Sequence, residues 1–77
     1  MPHVHVKTWK GKSDKQKQEL SDKITQAVKD TFGAGDYWIS VSIEDVDPSD
    51  WKQVYKEEIE PQGDKLFKKP GYTENDL

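Results

Sequence analysis

Apolar and polar residues alternate in PHVHVKT, positions 2–8. Val4 and Val6 fall on one side of an extended chain, and His3, His5 and Lys7 on the other. A period of two predicts a strand, and Pro2 can open it because the first strand residue need not donate to a ladder. GKSD at 11–14 predicts a turn into a helix. Ser13 with Gln16 three residues later fits a capping box, and Asp14 suits the positive end of the first turn. Leu20, Ile24, Ala27, Val28 and Thr31 then recur at helical spacing, with lysines and acids on the opposite side. FGAGD at 32–36 ends that helix, since Gly33 and Gly35 can each take the left-handed cap. YWISVSIEDV, 37–46, predicts a second strand. Ile39, Val41 and Ile43 share one face; Trp38, Ser40, Ser42 and Glu44 share the other.

Strand, helix of about 18 residues and strand make a βαβ unit with a parallel pair and a right-handed crossover. DPSDW at 47–51 predicts a second helix, with Asp47 as cap and Pro48 at the first position. Trp51, Val54, Tyr55 and Ile59 continue it at helical spacing. Pro61 should break or restart it, leaving Leu66 and Phe67 as a short second piece. A turn and a polar tail, KKPGYTENDL, finish the chain. The expected architecture is α/β (α+β), one domain over residues 1–77.

Composition sharpens this picture. The 77 residues are 31% hydrophobic and 35% charged, so a lone chain this size has little with which to build a core. Two parallel strands are also too few for an independent sheet. Both facts lead to the expectation of a partner subunit. The net charge is −3, which argues against a nucleic-acid footprint. There is no cysteine, hence no disulfide and no thiol nucleophile. No stretch is long and apolar enough for a membrane span or a signal core, and the expected compartment is the cytoplasm. All 12 basic residues are lysine, so the rigid bidentate fork of arginine is missing.

The candidate chemistry starts at Pro2. Aminopeptidases remove an initiator Met when the next residue is small, and proline qualifies. Removal leaves a secondary amine held in direction by its own ring and by the strand behind it. A free α-amino group titrates at about 7.7–8.0; a proline amine starts higher, and burial among apolar side chains lowers it. A base tuned near neutral pH can take a carbon-bound proton beside a carbonyl and return it elsewhere.

With MP opening an alternating strand, GKSDKQKQEL entering the helix, WISVSIEDV as the second strand and DPSDW after it, the chain resembles the tautomerase superfamily. Within it, the likeness is to the 4-oxalocrotonate tautomerase group of amino-terminal-proline enzymes. The tail EIEPQGDKLFKKPGY is similar to the longer-chain branch, the bacterial phenylpyruvate tautomerase type. The resemblance implies a cofactor-free keto–enol isomerase with Pro2 as the base. It also implies a dimer whose two βαβ units form a four-stranded sheet with helices on one side. A hexamer is the second expectation; the residues after 61 favour the dimer because they can cover the surface used for further assembly. Arginines of the best-known members fall at Lys12 and Ser40 here. That departure disfavours dicarboxylate substrates and favours a small or aromatic α-keto acid, with its ring against Trp51 and also Trp38.

Each candidate also has a plainer reading. Lys12 serves equally as a solvated lysine, Ser40 as a strand hydroxyl at an interface, and Trp51 as core of the second helix. His3 and His5 form an HxH pair, but no third ligand stands at zinc spacing. Sheet-face packing or an interface hydrogen bond is their expected role, His3 beside Pro2 is also placed to touch a substrate or tune the amine, and no metal is expected. Lys68 and Lys69 read as cations at a helix end. Tyr72 either covers a neighbouring pocket or hangs free. The alternative to an enzyme is a non-catalytic dimeric module that binds a small ligand or another protein through the same pocket.

Overall fold

The alternation of PHVHVKT becomes strand β1, His3–Trp9, in a computed structural model that describes residues 1–77. Val4 and Val6 are half-buried while His3 and His5 stay exposed, so the polar–apolar period is also the period of burial. Helix α1 follows at Asp14–Phe32. Its capping box is complete. The Ser13 hydroxyl accepts from the Gln16 backbone N–H at 3.1 Å, and the Ser13 backbone N–H donates to Gln16 Oε1 at 2.9 Å. Ser13→Ala removes that acceptor and is expected to cost about 1 kcal/mol of stability, read as a lower urea midpoint. An unchanged midpoint would mean that the helix start is held by other contacts.

Gly33 ends α1 at φ 69°, the left-handed cap, with its N–H returning to the Lys29 carbonyl. Gly35, the other candidate, sits in extended backbone at φ −73° and instead precedes a 3-10 turn, Asp36–Trp38. The second strand is therefore shorter than the sequence pattern suggests. Strand β2 runs Ser40–Val46, and Tyr37 and Trp38 belong to the turn before it. Trp38 and Ile39 donate their backbone N–H groups to the Gly35 and Asp36 carbonyls. The two rings meet edge-on with centroids 4.7 Å apart. These local bonds outweigh the strand preference of two aromatic residues.

β1 and β2 pair in a two-stranded sheet. His3 meets Ser40 and His5 meets Ser42, both at a sequence separation of 37. A constant difference between partners, rather than a constant sum, means that the strands run parallel. Val4, Val6, Val41 and Ile43 are half-buried.

The chain forms two compact units, Met1–Asp45 and Val46–Leu77. In the second, Asp47 accepts from the Ser49 N–H and Pro48 stands at the first position of a 3-10 turn, Pro48–Asp50. Helix α2, Trp51–Val54, follows directly and widens into a π turn, Tyr55–Ile59. Pro61 has no N–H to return to Glu57 and crowds that carbonyl, and the widened turn lies just ahead of it. The expected helical piece at Leu66–Phe67 does not form. A 3-10 stretch, Glu60–Lys65, is broken at Gly63 (φ 52°, ψ −121°), and Leu66 leaves it in extended conformation. Phe67 is fully exposed. The tail is more ordered than its polarity suggests: Glu74–Asp76 form a 3-10 turn capped by Thr73.

Candidate active site

Pro2 stands at the mouth of the sheet. Its carbonyl accepts the Ser40 backbone N–H at 3.2 Å, which fixes the residue against the start of β2. It is half-buried, while Met1 ahead of it is 94% exposed. The Pro2 nitrogen, which removal of Met1 would turn into the chain end, thus belongs to an anchored residue rather than to a loose tail.

Ser40 shares that end of the sheet. Its hydroxyl lies 2.6 Å from His3 Nδ1, on the exposed side of the strands. The same face continues with His5, whose Nδ1 is 2.5 Å from the Ser42 hydroxyl and whose Nε2 is 3.1 Å from Glu44 Oε1. The histidines left open by the pattern therefore pair with strand hydroxyls and a carboxylate. No group of three or more His, Cys, Asp or Glu side chains is placed to hold a metal ion. The signal for this ladder was in the sequence as polar alternate positions on two strands, but the register that matches them was not.

Lys12 lies elsewhere. It sits between the end of β1 at Trp9 and the start of α1 at Asp14. At about 3.3 Å per residue the seven-residue strand alone separates it from Pro2 by roughly 20 Å. There it lines a cleft of about 320 Å³ with Val6, Thr8, Leu20 and Ile43, which Lys7 and Lys17 also border. Lys17 is committed: its Nζ donates to Asp45 at 2.6 Å, with Asp14 4.0 Å away. The hydrogen bond to Asp45 holds the Lys17 amine above its usual range; burial opposes it, and the charges of Asp45 and then Asp14 add to the rise. A raised amine stabilises the fold while it is protonated. Its contribution is complete below the ordinary lysine value of 10.5 and fades as pH rises through the elevated folded-state value. Asp45→Asn is expected to flatten the alkaline limb of stability against pH. An unaltered limb would show that the pair does not govern it.

Trp51 belongs to the second unit, at the head of α2. It is half-buried, and its indole N–H donates to the Tyr72 hydroxyl at 3.0 Å. Trp38 is about half exposed, in the turn that precedes β2. The structure thus brings together Pro2 and Ser40, sets Lys12 at the far end of the same strand, and gives Trp51 a partner, Tyr72, that the sequence left undecided.

Comparison with known proteins completes these observations. A family model described as Tautomerase enzyme matches residues 2–57. The chain is 44% identical over 73 residues to a probable tautomerase of Xylella fastidiosa, covering 94% of this chain and 89% of that protein. It is 40% identical over 74 residues to Tautomerase PptA of Cronobacter sakazakii, covering 94% and 97%. Among solved structures it is similar to YwhB, a homologue of 4-oxalocrotonate tautomerase. That match has a TM-score of 0.58 and 46% identity, over 60% of this chain and 75% of the other. A 4-oxalocrotonate tautomerase isozyme from Methylibium petroleiphilum gives a TM-score of 0.63 at 30% identity, over 65% and 81%.

Proposed function

The chain belongs to the tautomerase family of isomerases, and on that premise we propose that it interconverts the keto and enol forms of an aromatic α-keto acid. Phenylpyruvate is the model substrate, and the Pro2 nitrogen, freed by removal of Met1, is the base. The observation that supports this most is the setting of Pro2: half-buried, tied to Ser40 through its carbonyl, and preceded by a fully accessible Met1.

In the keto-to-enol direction the unprotonated nitrogen takes a proton from the carbon next to the carbonyl. The electron pair left behind moves onto the carbonyl oxygen as an enolate. The proton is then delivered to that oxygen, so nothing is gained or lost overall. No cofactor enters this cycle. With no arginine in the chain, a lysine point charge is the cation available for the substrate carboxylate, and Lys12 is the proposed contact. The length of β1 puts the chain's own Lys12 out of reach of a small substrate at Pro2. A Lys12 that serves this site therefore comes from a second copy, which ties the activity to a dimer. Trp51 is the proposed aromatic contact, and Ser40 fixes Pro2 through its amide. In this reading residues 1–77 act as one functional domain in the cytoplasm.

The test is ketonisation of enol-phenylpyruvate by protein of verified intact mass, compared with a form in which the Pro2 nitrogen stays acylated. A retained Met1 in the purified protein, together with full activity, would remove Pro2 as the base.

A further inference from the structure

We propose that Tyr72 is a positioning residue for aromatic substrates: its hydroxyl accepts the Trp51 N–H and sets the plane of the indole on which the substrate ring lies. The inference rests on the assignment of Trp51 as a substrate contact made above, and goes beyond it by naming what gives that contact its selectivity.

An indole has one donor and no acceptor. When it is half-buried, the orientation that satisfies that donor is strongly preferred. Here the acceptor comes from 21 residues further along the chain, at 3.0 Å. The segment that carries it is held independently. The Tyr72 and Tyr55 rings pack with centroids 5.7 Å apart. Lys56 Nζ lies 3.4 Å from Glu74 Oε1, and the Thr73 backbone N–H donates to Asp76 at 2.9 Å. The tail is therefore anchored at the Tyr72 ring and just beyond it at Glu74, and the hydroxyl in turn anchors the indole. Little else explains an ordered tail: after Phe67, which packs on nothing, the half-buried residues are Pro70, Tyr72 and Glu74.

A flat face that is already fixed costs less ordering entropy when a ring stacks on it. An aliphatic keto acid has no ring to stack and gains nothing from the fixed plane. Selectivity for the aromatic acid should thus run through a hydroxyl that need not touch the substrate.

The experiment is a double-mutant cycle on binding, by calorimetry, of phenylpyruvate and of the aliphatic acid α-ketoisocaproate. Tyr72→Phe keeps the ring against Tyr55 and removes only the acceptor. It is expected to raise the Kd for phenylpyruvate about three- to tenfold, the range of one neutral hydrogen bond, and to leave the aliphatic acid unchanged. In a Trp51→Phe background, which has no donor, Tyr72→Phe should have no further effect. In turnover assays the change should appear in KM with kcat preserved, as for a loss of uniform binding. Equal weakening of both acids, additive effects in the cycle, or no change in either would overturn the proposal. An acylated Pro2 with full activity, combined with an intact cycle, would remove the base assignment and leave Tyr72 standing. A parent protein that binds neither acid overturns both.

Discussion

Keeping the Pro2 nitrogen acylated should lower kcat/KM for enol-phenylpyruvate about a hundred- to ten-thousandfold, the usual contribution of a positioned general base. An amide nitrogen has no available lone pair, so the acylated form removes the base while leaving the fold alone. Pro2→Ala is a milder test. Alanine also permits Met removal and leaves a primary amine, so the chemistry of the base survives. What goes is the ring that fixes its direction, and misplacing a reacting group by about 1 Å is enough to cost roughly a hundredfold. The Ala variant should therefore lie between the parent and the acylated form. The Pro2 carbonyl bond to Ser40 is a backbone contact that Ala keeps, so the difference reports on the nitrogen rather than on the strand. The parent rate should also fall in acid, as the nitrogen takes up a proton. Equal rates for the parent and the acylated form would end the catalytic account.

The features that could be read from the sequence are those whose physics is local. Ser13 with Gln16, Gly33 after Phe32, and Asp47 before Pro48 each satisfy orphan backbone groups within a few residues, and a chain spells out such contacts in order. The alternation of β1 was equally legible, because one face of a strand must find cover. Tyr37 and Trp38 misled for the opposite reason. Their strand preference is a preference for a packed surface, and Tyr37, 85% exposed, has no such surface to lie on. A helix restarting after Pro61 would carry Leu66 and Phe67, but the backbone of Gly63 breaks the stretch before them. At the site, the separation of Pro2 and Lys12 is implicit in the length of a strand. The closeness of Pro2 to Ser40, and of His3 and His5 to their hydroxyl partners, depends on strand register. That register is set across a crossover of thirty residues, 10–39, and has no local signature.

The largest effect on the whole molecule should come from dilution. Val46 and Val54, each 8% exposed, are the chain's buried hydrophobic residues, while Phe32 is 72% exposed and Trp9, Leu20 and Trp38 also face outward. A chain that buries so little apolar surface is expected to complete its core against a second copy. The face of the sheet that carries His3, His5, Ser40, Ser42 and Glu44 does not invite further stacking. Its polar groups already satisfy one another, and removing an imidazole and a carboxylate from water would cost free energy without new partners. The expected state is therefore a dimer. Sedimentation equilibrium should give twice the chain mass, and the melting temperature should rise with protein concentration because folding draws on association. If, as proposed, a second copy brings Lys12 to each Pro2, tautomerase activity should fall in step with the dimer fraction on dilution. A chain-mass species that melts at the same temperature at every concentration and keeps its specific activity would contradict both the interface and the shared site. Six times the chain mass would instead overturn the dimer.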